Sequence, residues 1–449
     1  MTDRAPMVGW YDPGQLLQTA QQVVVSTILG QQADNRLMEA LAQGTYEPFD
    51  YVIGPDRQPR SEIWIDYVAD TGDGFNSTYA VAYAVAQPEL RLRDPQGAEV
   101  VTRRGDILVF GGDEVYPTAS RKGYRQRLLE PYRTALEKTD EPHPHVFAVP
   151  GNHDWYDSLV SFTRFFLSKE WFAGWQTPQE RSYFALRLPH GWWLIGTDVQ
   201  LGSDIDKPQV EYFRKVQKEM LADHRIILCN AEPYWIYSHT YKEYDAEVFN
   251  ESNLRFLEDE VFNHKIDVYL AGDLHHYRRH EAADGRQKIT AGGGGAFLHP
   301  THGPDVSELE GGYKLKGCFP DISTSSRLCW RNLLFLRYNF SFGLFPALLY
   351  LLTAWAIMAD TGKAGLSEFG KAAKLTLAAT LDSPMGAFWA LLTFFGFVLF
   401  TDTHSKAYRW IMGSLHGLAH VAAAFFLTWG ANYLCVTVLG WQWESIRQL

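Results

Sequence analysis

The residues of this sequence best suited to chemistry are Asp70, Asp113, the run Asn152-His153-Asp154, and the pair Asp273 and His275. Carboxylate and amide oxygens together with imidazole nitrogens form a donor set that binds divalent or trivalent metals. Each follows a short apolar run. Asp70-Thr71-Gly72-Asp73 comes after Ile63-Trp64-Ile65-Asp66-Tyr67-Val68, and Gly111-Gly112-Asp113-Glu114-Val115-Tyr116-Pro117 after Ile107-Leu108-Val109-Phe110. Pro150-Gly151-Asn152-His153-Asp154 comes after Val146-Phe147-Ala148-Val149, and Gly272-Asp273-Leu274-His275-His276 after Ile266-Asp267-Val268-Tyr269-Leu270. Short apolar runs that end in glycine and a turn read as buried strands. Four strand ends therefore carry metal-type ligands, and open α/β sheets place their ligands beyond the carboxyl ends of the strands.

The elements that must hold these ends follow from the rest of the pattern. Strand-like and helix-like segments alternate between residues 60 and 300, as in an α/β domain. An aromatic run follows His153, with Trp155, Tyr156, Phe162, Phe165, Phe166, Trp171, Phe172 and Trp175. Spacing of three and four assigns it to helix packing, with a substrate-facing cap as the alternative. Gly292-Gly293-Gly294-Gly295 is read as a tight strand exit, because neither a helix pattern nor Lys-Ser/Thr follows it. Residues 13–43 read as a helix starting near Asp12-Pro13. The domain reading is an N-terminal helical segment over 1–48, a catalytic domain over 49–300, a Gly/Pro/Ser/Asp-rich linker over 301–337 and a membrane region over 338–449.

That last region rests on three apolar runs. Phe340–Ala359 carries no charge and has the ~20 residues that a spanning helix needs. Met385–Phe400 is equally apolar and a little short, and Ile411–Gly440 spans with tilt. About three transmembrane helices are expected. Arg327, Arg331, Arg337, Lys406 and Arg409 flank one side, and Lys363, Lys371 and Lys374 the other, which places the catalytic domain in the cytosol. The N-terminus shows no apolar signal core, so no export is expected. Within the third run, His416 and His420 share a helical face beside Gly413 and Gly417. Inward helix packing is the first reading, and a pair serving metal, haem or a lipid headgroup is the second.

The chain has 449 residues, room for two domains, and a formal net charge of −11, which argues against nucleic acid as a partner. Four cysteines without paired spacing give neither a disulfide framework nor a zinc motif, and fit a reducing compartment.

The ordered motifs over roughly residues 60–300 resemble the calcineurin-like metallophosphoesterases. Two departures, Gly72 in place of a histidine and Tyr116 at the end of the second motif, are similar to the purple acid phosphatase branch. The resemblance implies a two-sheet αββα sandwich and two metal ions. Asp70, Asp113, Tyr116 and His275 would form the first site, with Asp113 bridging and Asn152 on the second metal. His153 would face substrate as a hydrogen-bond and proton donor, oriented by Asp154. Of the residues crowding the last motif, His276, Arg278, Arg279 and His280, His276 is nearest the site in sequence and is taken as the phosphate-binding candidate. Asp273 replaces a histidine of the family, which favours manganese, iron or magnesium over zinc. Ala231 stands where another histidine is expected. His239 is taken as the substitute ligand, with Glu232 as the alternative.

The implied activity is hydrolysis of a phosphate ester by a metal-activated water. The substrate class includes lipids and nucleotides, with the enzyme held at a bilayer. Two other readings stand beside it. One is a module that senses a phospholigand through a degenerate second metal site. The other is a membrane redox or transport protein using His416 and His420.

Overall fold

Ile107-Leu108-Val109-Phe110 is buried at every position, and the period of two along a strand explains why. Ile107 and Val109 point one way, into a core with Phe147, Val149, Phe184, Leu186 and Leu194. Leu108 and Phe110 point the other way, into a core with Leu128, Tyr132, Phe162 and Phe166. Beyond the second sheet, Ala185, Trp193 and Ile195 face a third core with Tyr212, Phe213 and Leu257. Helix, sheet, sheet and helix are thus stacked, which is the αββα sandwich expected from the motifs.

The computed structural model describes residues 4–22, 47–94, 96–138, 143–169, 171–199, 205–241, 251–263, 266–361, 369–401 and 406–442. They fall into two compact units, residues 1–10 with 14–332 and residues 11–13 with 333–449. The first unit holds two large sheets and a two-stranded one, Glu89–Arg93 paired with Glu99–Arg103. One large sheet has five strands, in the order Ile65–Val68, Ile107–Phe110, His145–Ala148, Trp175–Gln176, Trp171–Phe172. Its first three strands are parallel, so Asp70, Asp113 and Asn152 all follow carboxyl ends on one edge. The other large sheet has nine strands, and its centre runs parallel through Trp192–Gly196, Arg225–Cys229, Ile266–Ala271 and Gln287–Ala291. Glu232 and Asp273 follow two of these.

The nine-stranded sheet continues past residue 300. Glu308–Leu309 and Tyr313–Phe319 pair at its edge, the latter against Tyr277–Glu281. The span read from composition as a linker therefore contributes strands, because the alternation in Tyr313–Phe319 is diluted by the Gly- and Pro-rich turns around it. The aromatic run after His153 is core rather than cap, since Phe166 and Phe172 pack on Phe110 at 5.6 and 5.5 Å between ring centroids. The N-terminal helix runs over 13–22, and the remainder of its expected length lies outside the described residues.

The second unit is helical, with Leu344–Thr361, Phe369–Asp382, Pro384–Phe400 and Lys406–Tyr433. Lys406–Val438 is long and apolar enough to cross a membrane, and the bent pair Ile322–Tyr338 and Phe340–Thr353 would make a second span if taken together. Gly413 and Gly417 abut the backbone at Val398 and Phe394. His420 stacks on Phe397 at 3.5 Å, meets His416 Nε2 to Nε2 at 3.0 Å, and contacts the Tyr350 hydroxyl. The histidine pair thus lies between helices, as the packing reading expects.

Both large sheets and their three cores lie within the first unit. A chain ending at residue 337 is therefore expected to be soluble and folded, with the circular dichroism of a mixed α/β protein and a monodisperse gel-filtration profile. An aggregated or unfolded product would mean that the later helices complete its core.

Candidate metal centre

The donor residues sit where strands give way to turns, and the turns are unusual. Asp70, Asp113, Asp273 and His275 all adopt positive φ, between 43 and 67°. Residues other than glycine seldom occupy this region, and where they do the surrounding structure holds them there. Backbone amides supply part of that hold. The Asp273 N–H donates to Asp70 Oδ1 at 3.0 Å, and the His153 N–H donates to Asp113 Oδ1 at 3.0 Å.

Three of these side chains converge on the Tyr116 hydroxyl. It lies 3.1 Å from Asp70 Oδ1, 3.1 Å from Asp113 Oδ2 and 2.8 Å from His275 Nε2. All four residues are buried. The tautomer of His275 follows from its other nitrogen. Nδ1 lies 2.7 Å from the Phe297 carbonyl, which can only accept, so Nδ1 carries the proton. Burial first, and His299 beside it, push the His275 pKa down to about 3. The imidazole is therefore neutral and presents a bare Nε2 lone pair to the cluster. The hydroxyl has one proton to offer three acceptors, so the remaining contacts need either further protons or a cation.

The acids are short of positive charge. Asp70 is raised well above the usual carboxylate range by burial and then by Asp113, and Asp273 by burial and then by Glu232, Asp113 and Asp70. Burial and Asp113 push Glu232 up to about 7. Asp70 Oδ2 is buried and, among the described residues, has no hydrogen-bond partner. Hard oxygen donors, a bare imidazole nitrogen and an orphaned carboxylate oxygen fit a metal ion in donor chemistry. The spacing fits as well, since ligands about 2.1 Å from one ion at right angles stand about 3.0 Å apart. Among the described residues, no group of three or more His, Cys, Asp and Glu side chains is arranged around a single point as it stands. The donors meet instead at the phenol oxygen.

Asp70, Asp113, Tyr116 and His275 come together. Asn152 and His153 open the turn after His145–Ala148, and Asn152 Nδ2 donates to the Tyr156 hydroxyl at 3.3 Å. His153 Nδ1 lies 2.6 Å from the Pro117 carbonyl, so it carries the proton there and leaves Nε2 free. That carbonyl orients His153, in place of the expected Asp154. Asp154 is fully buried and turns inward, accepting from Gly151 N at 2.9 Å, Glu114 N at 3.3 Å and the Tyr124 hydroxyl at 2.5 Å. It ties the Asp113 turn to the Asn152 turn, an inward bonding pattern that an i,i+1 neighbour of His153 does not reveal. Asp273 accepts from the Tyr237 hydroxyl.

Two further residues depart from expectation. His239, in the last turn of Tyr234–Thr240, bonds the Asp305 carbonyl at 3.1 Å and takes no part in the cluster. Glu232 is the alternative whose charge is felt at Asp273. His276 is 3% exposed and sits beside Arg278, a burial that leaves no face for phosphate.

Sequence reasoning passed over Asp73 and Trp10. Asp73 is buried and accepts from Val8 N at 3.0 Å, Phe297 N at 3.2 Å and Trp10 Nε1 at 3.4 Å. Trp10 then lies edge-on to Tyr116 at 5.6 Å and to His153 at 6.1 Å. Asp73 was visible within Asp70-Thr71-Gly72-Asp73, but nothing in the sequence signals that an N-terminal strap reaches it.

Two glycines are fixed by close approach. Gly72 has φ +68°, and a Cβ there would collide with the Glu114 carbonyl. Gly292 passes so close to Asp70 that a Cβ would collide with Oδ2. Beyond it, Gly294 N donates to Ala69 O at 2.9 Å and Ala296 N to Asp70 O at 3.0 Å. The four-glycine run thus leaves its strand directly under the Asp70 turn.

A family model described as calcineurin-like phosphoesterase matches residues 63–277. No curated protein matches the chain. Among solved structures, similarity is found to GAP50, the anchor in the inner membrane complex of Plasmodium, at 13% identity and TM-score 0.38, over 58% of this chain and 78% of that one. Purple acid phosphatase PPD1 from yellow lupin (Lupinus luteus) seeds is similar at 14% identity and TM-score 0.38, over 56% and 48%. PhoD is similar at 11% identity and TM-score 0.32, over 51% and 56%.

Gly292→Ala removes no donor atom, yet it displaces Asp70. It is expected to weaken metal binding by about 10–100-fold, the usual effect of disturbing a ligand's support. Metal content by elemental analysis after dialysis checks this, and wild-type content would show that Gly292 does not set the position of Asp70.

Proposed function

We propose, from the match of residues 63–277 to the calcineurin-like phosphoesterase family, that the protein is a membrane-anchored, metal-dependent phosphoesterase. The observation that carries this reading is the Tyr116 hydroxyl within 3.1 Å of Asp70, Asp113 and His275, a buried meeting of donors with too few protons to satisfy them. Asp70, Asp113, Tyr116 and His275 would hold one ion. Asp113, Asn152 and Asp273 would hold a second, with Glu232 in the place expected of His239. When bound, such a pair neutralises charge at phosphorus and brings the pKa of a water toward ~7.

The chain's own residues divide the remaining work. Asp113 turns one oxygen toward Tyr116 and the other toward the His153 amide, the disposition that a bridging carboxylate needs. Tyr116 is kept protonated by burial and then by Asp113 and Asp70. It would release that proton to water or a neighbouring base only beside a strongly polarising cation, which favours iron or manganese, with zinc or magnesium as alternatives. His153, held through Nδ1–H by the Pro117 carbonyl, presents a bare Nε2, which would first take a proton from water and then pass it to the leaving oxygen. Trp10 and Phe297 flank the donors and limit water.

The anchor is supported by the apolar helix Lys406–Val438 and by leucines that its unit leaves outward, among them Leu351, Leu399, Leu415 and Leu427. An exterior of that kind suits lipid better than water. The arginine and lysine distribution supports a cytosolic catalytic unit. Lipid phosphoesters are the first substrates to test, and nucleotides the second. One observation favours the rival reading of a phospholigand sensor, namely that His239 leaves the second site without an imidazole.

Turnover of an aryl phosphate by metal-loaded protein separates the two. Asp113→Asn is expected to abolish both hydrolysis and bound metal. His153→Ala is expected to keep the metal and lose roughly 10²–10⁴ in turnover. A wild type that binds metal and phosphate without turnover would establish the sensor, and loss of metal in His153→Ala would make that residue a ligand.

A further inference from the structure

Arg4, Arg121, Lys122 and Arg125 line, with Phe75 and with Glu130 as the lone carboxylate, a cavity of about 540 Å³. The concentration of cations is unexpected in a chain of net charge −11. Glu130 is already engaged, 3.5 Å from Arg125 and 3.5 Å from Arg133. Among the described residues, Arg4, Arg121 and Lys122 have no carboxylate partner. The Arg4 guanidinium lies 5.0 Å over the Phe75 ring, so the ring sets its plane and leaves its edge available.

Helix polarity adds to the same charge. Arg121 and Lys122 open the helical stretch that continues to Ala135, capped by Ser120 Oγ accepting from Gly123 N at 3.1 Å, with no acidic residue in its first turn. Helix Phe75–Ala86 also begins at the cavity with no acid in its first turn, although its first amide, Phe75 N, already donates to Ala5 O at 2.9 Å. Basic residues in the first turn oppose the positive end of the helix dipole, a cost that an anion between them removes. Arginine forks match the paired oxygens of phosphate. The volume lies within the ~300–1,000 Å³ of small-ligand sites, which fits a compact polyanion better than a nucleic-acid strand.

We propose that this cavity binds a phosphate-bearing anion of more than one negative charge, either free or as a lipid headgroup. The site is independent of the reading of the metal centre, since none of its residues belongs to that centre.

The test is isothermal titration of the full chain in detergent micelles, with chelator present and Asp113→Asn as the background, so that the metal centre contributes no phosphate binding. One probe is inorganic pyrophosphate and the other is short-chain phosphatidylinositol 4-phosphate in the same micelles. Saturable binding is expected to weaken as salt is added and to fall about tenfold or more in Arg121→Glu/Lys122→Glu. Both substitutions are exposed and leave the core intact, and Arg4→Ala gives the same loss from a different segment. Pyrophosphate binding that depends on these residues identifies free phosphate as the source, and dependent binding of the lipid alone identifies the headgroup. Failure of both probes to bind, or binding unchanged in the variants, overturns the proposal.

Discussion

Three acceptor atoms crowd one buried hydroxyl, and the hydroxyl has one proton to give. Around it, burial raises the pKa values of Asp70, Asp113, Asp273 and Glu232, and Asp113 adds to the rise at each of the other three. Such a group is costly unless protons or a cation neutralise it. The rest of the first unit reads as the apparatus that holds these acids together in spite of that cost. Parallel strands from two sheets end on one edge, the donors are bent into left-handed turns, and backbone amides from neighbouring turns fix individual carboxylate oxygens. A cation of high charge would oppose the upward shift of each of these acids at once.

Much of this was legible in the sequence. Apolar runs ending in Gly-Asp or Gly-Asn-His announced the strands, and their order placed Asp70, Asp113, Asn152 and Asp273 at comparable ends. The aromatic spacing after His153 correctly signalled packing, as Phe166 against Phe110 shows. What was not legible depends on contacts between segments far apart in the chain. Asp73 gathers Val8, Trp10 and Phe297 through hydrogen bonds that carry no period and no motif. Asp154 follows His153 immediately, yet it bonds Tyr124 and two backbone amides on the other side of the turn. His239 sits at a plausible spacing, but the turn of Tyr234–Thr240 carries it to the Asp305 carbonyl.

The second unit shows the same division. Apolar runs predicted helices, and the Gly413 and Gly417 face predicted close packing, met at Val398 and Phe394. Phe369–Asp382 escaped notice because Lys371 and Lys374 interrupt its apolar character. The contact of Tyr350 with His420 links residues on different helices, a pairing that no single run can announce.

The measurement closest to the central claim is an anomalous difference map from crystals grown with manganese, recorded at the manganese edge. The account predicts a peak about 2.0–2.3 Å from an oxygen of Asp113, with Asp70, Tyr116 or His275 drawn to the same ion. An empty map, with the Tyr116 hydroxyl still bridging Asp70, Asp113 and His275, would contradict it.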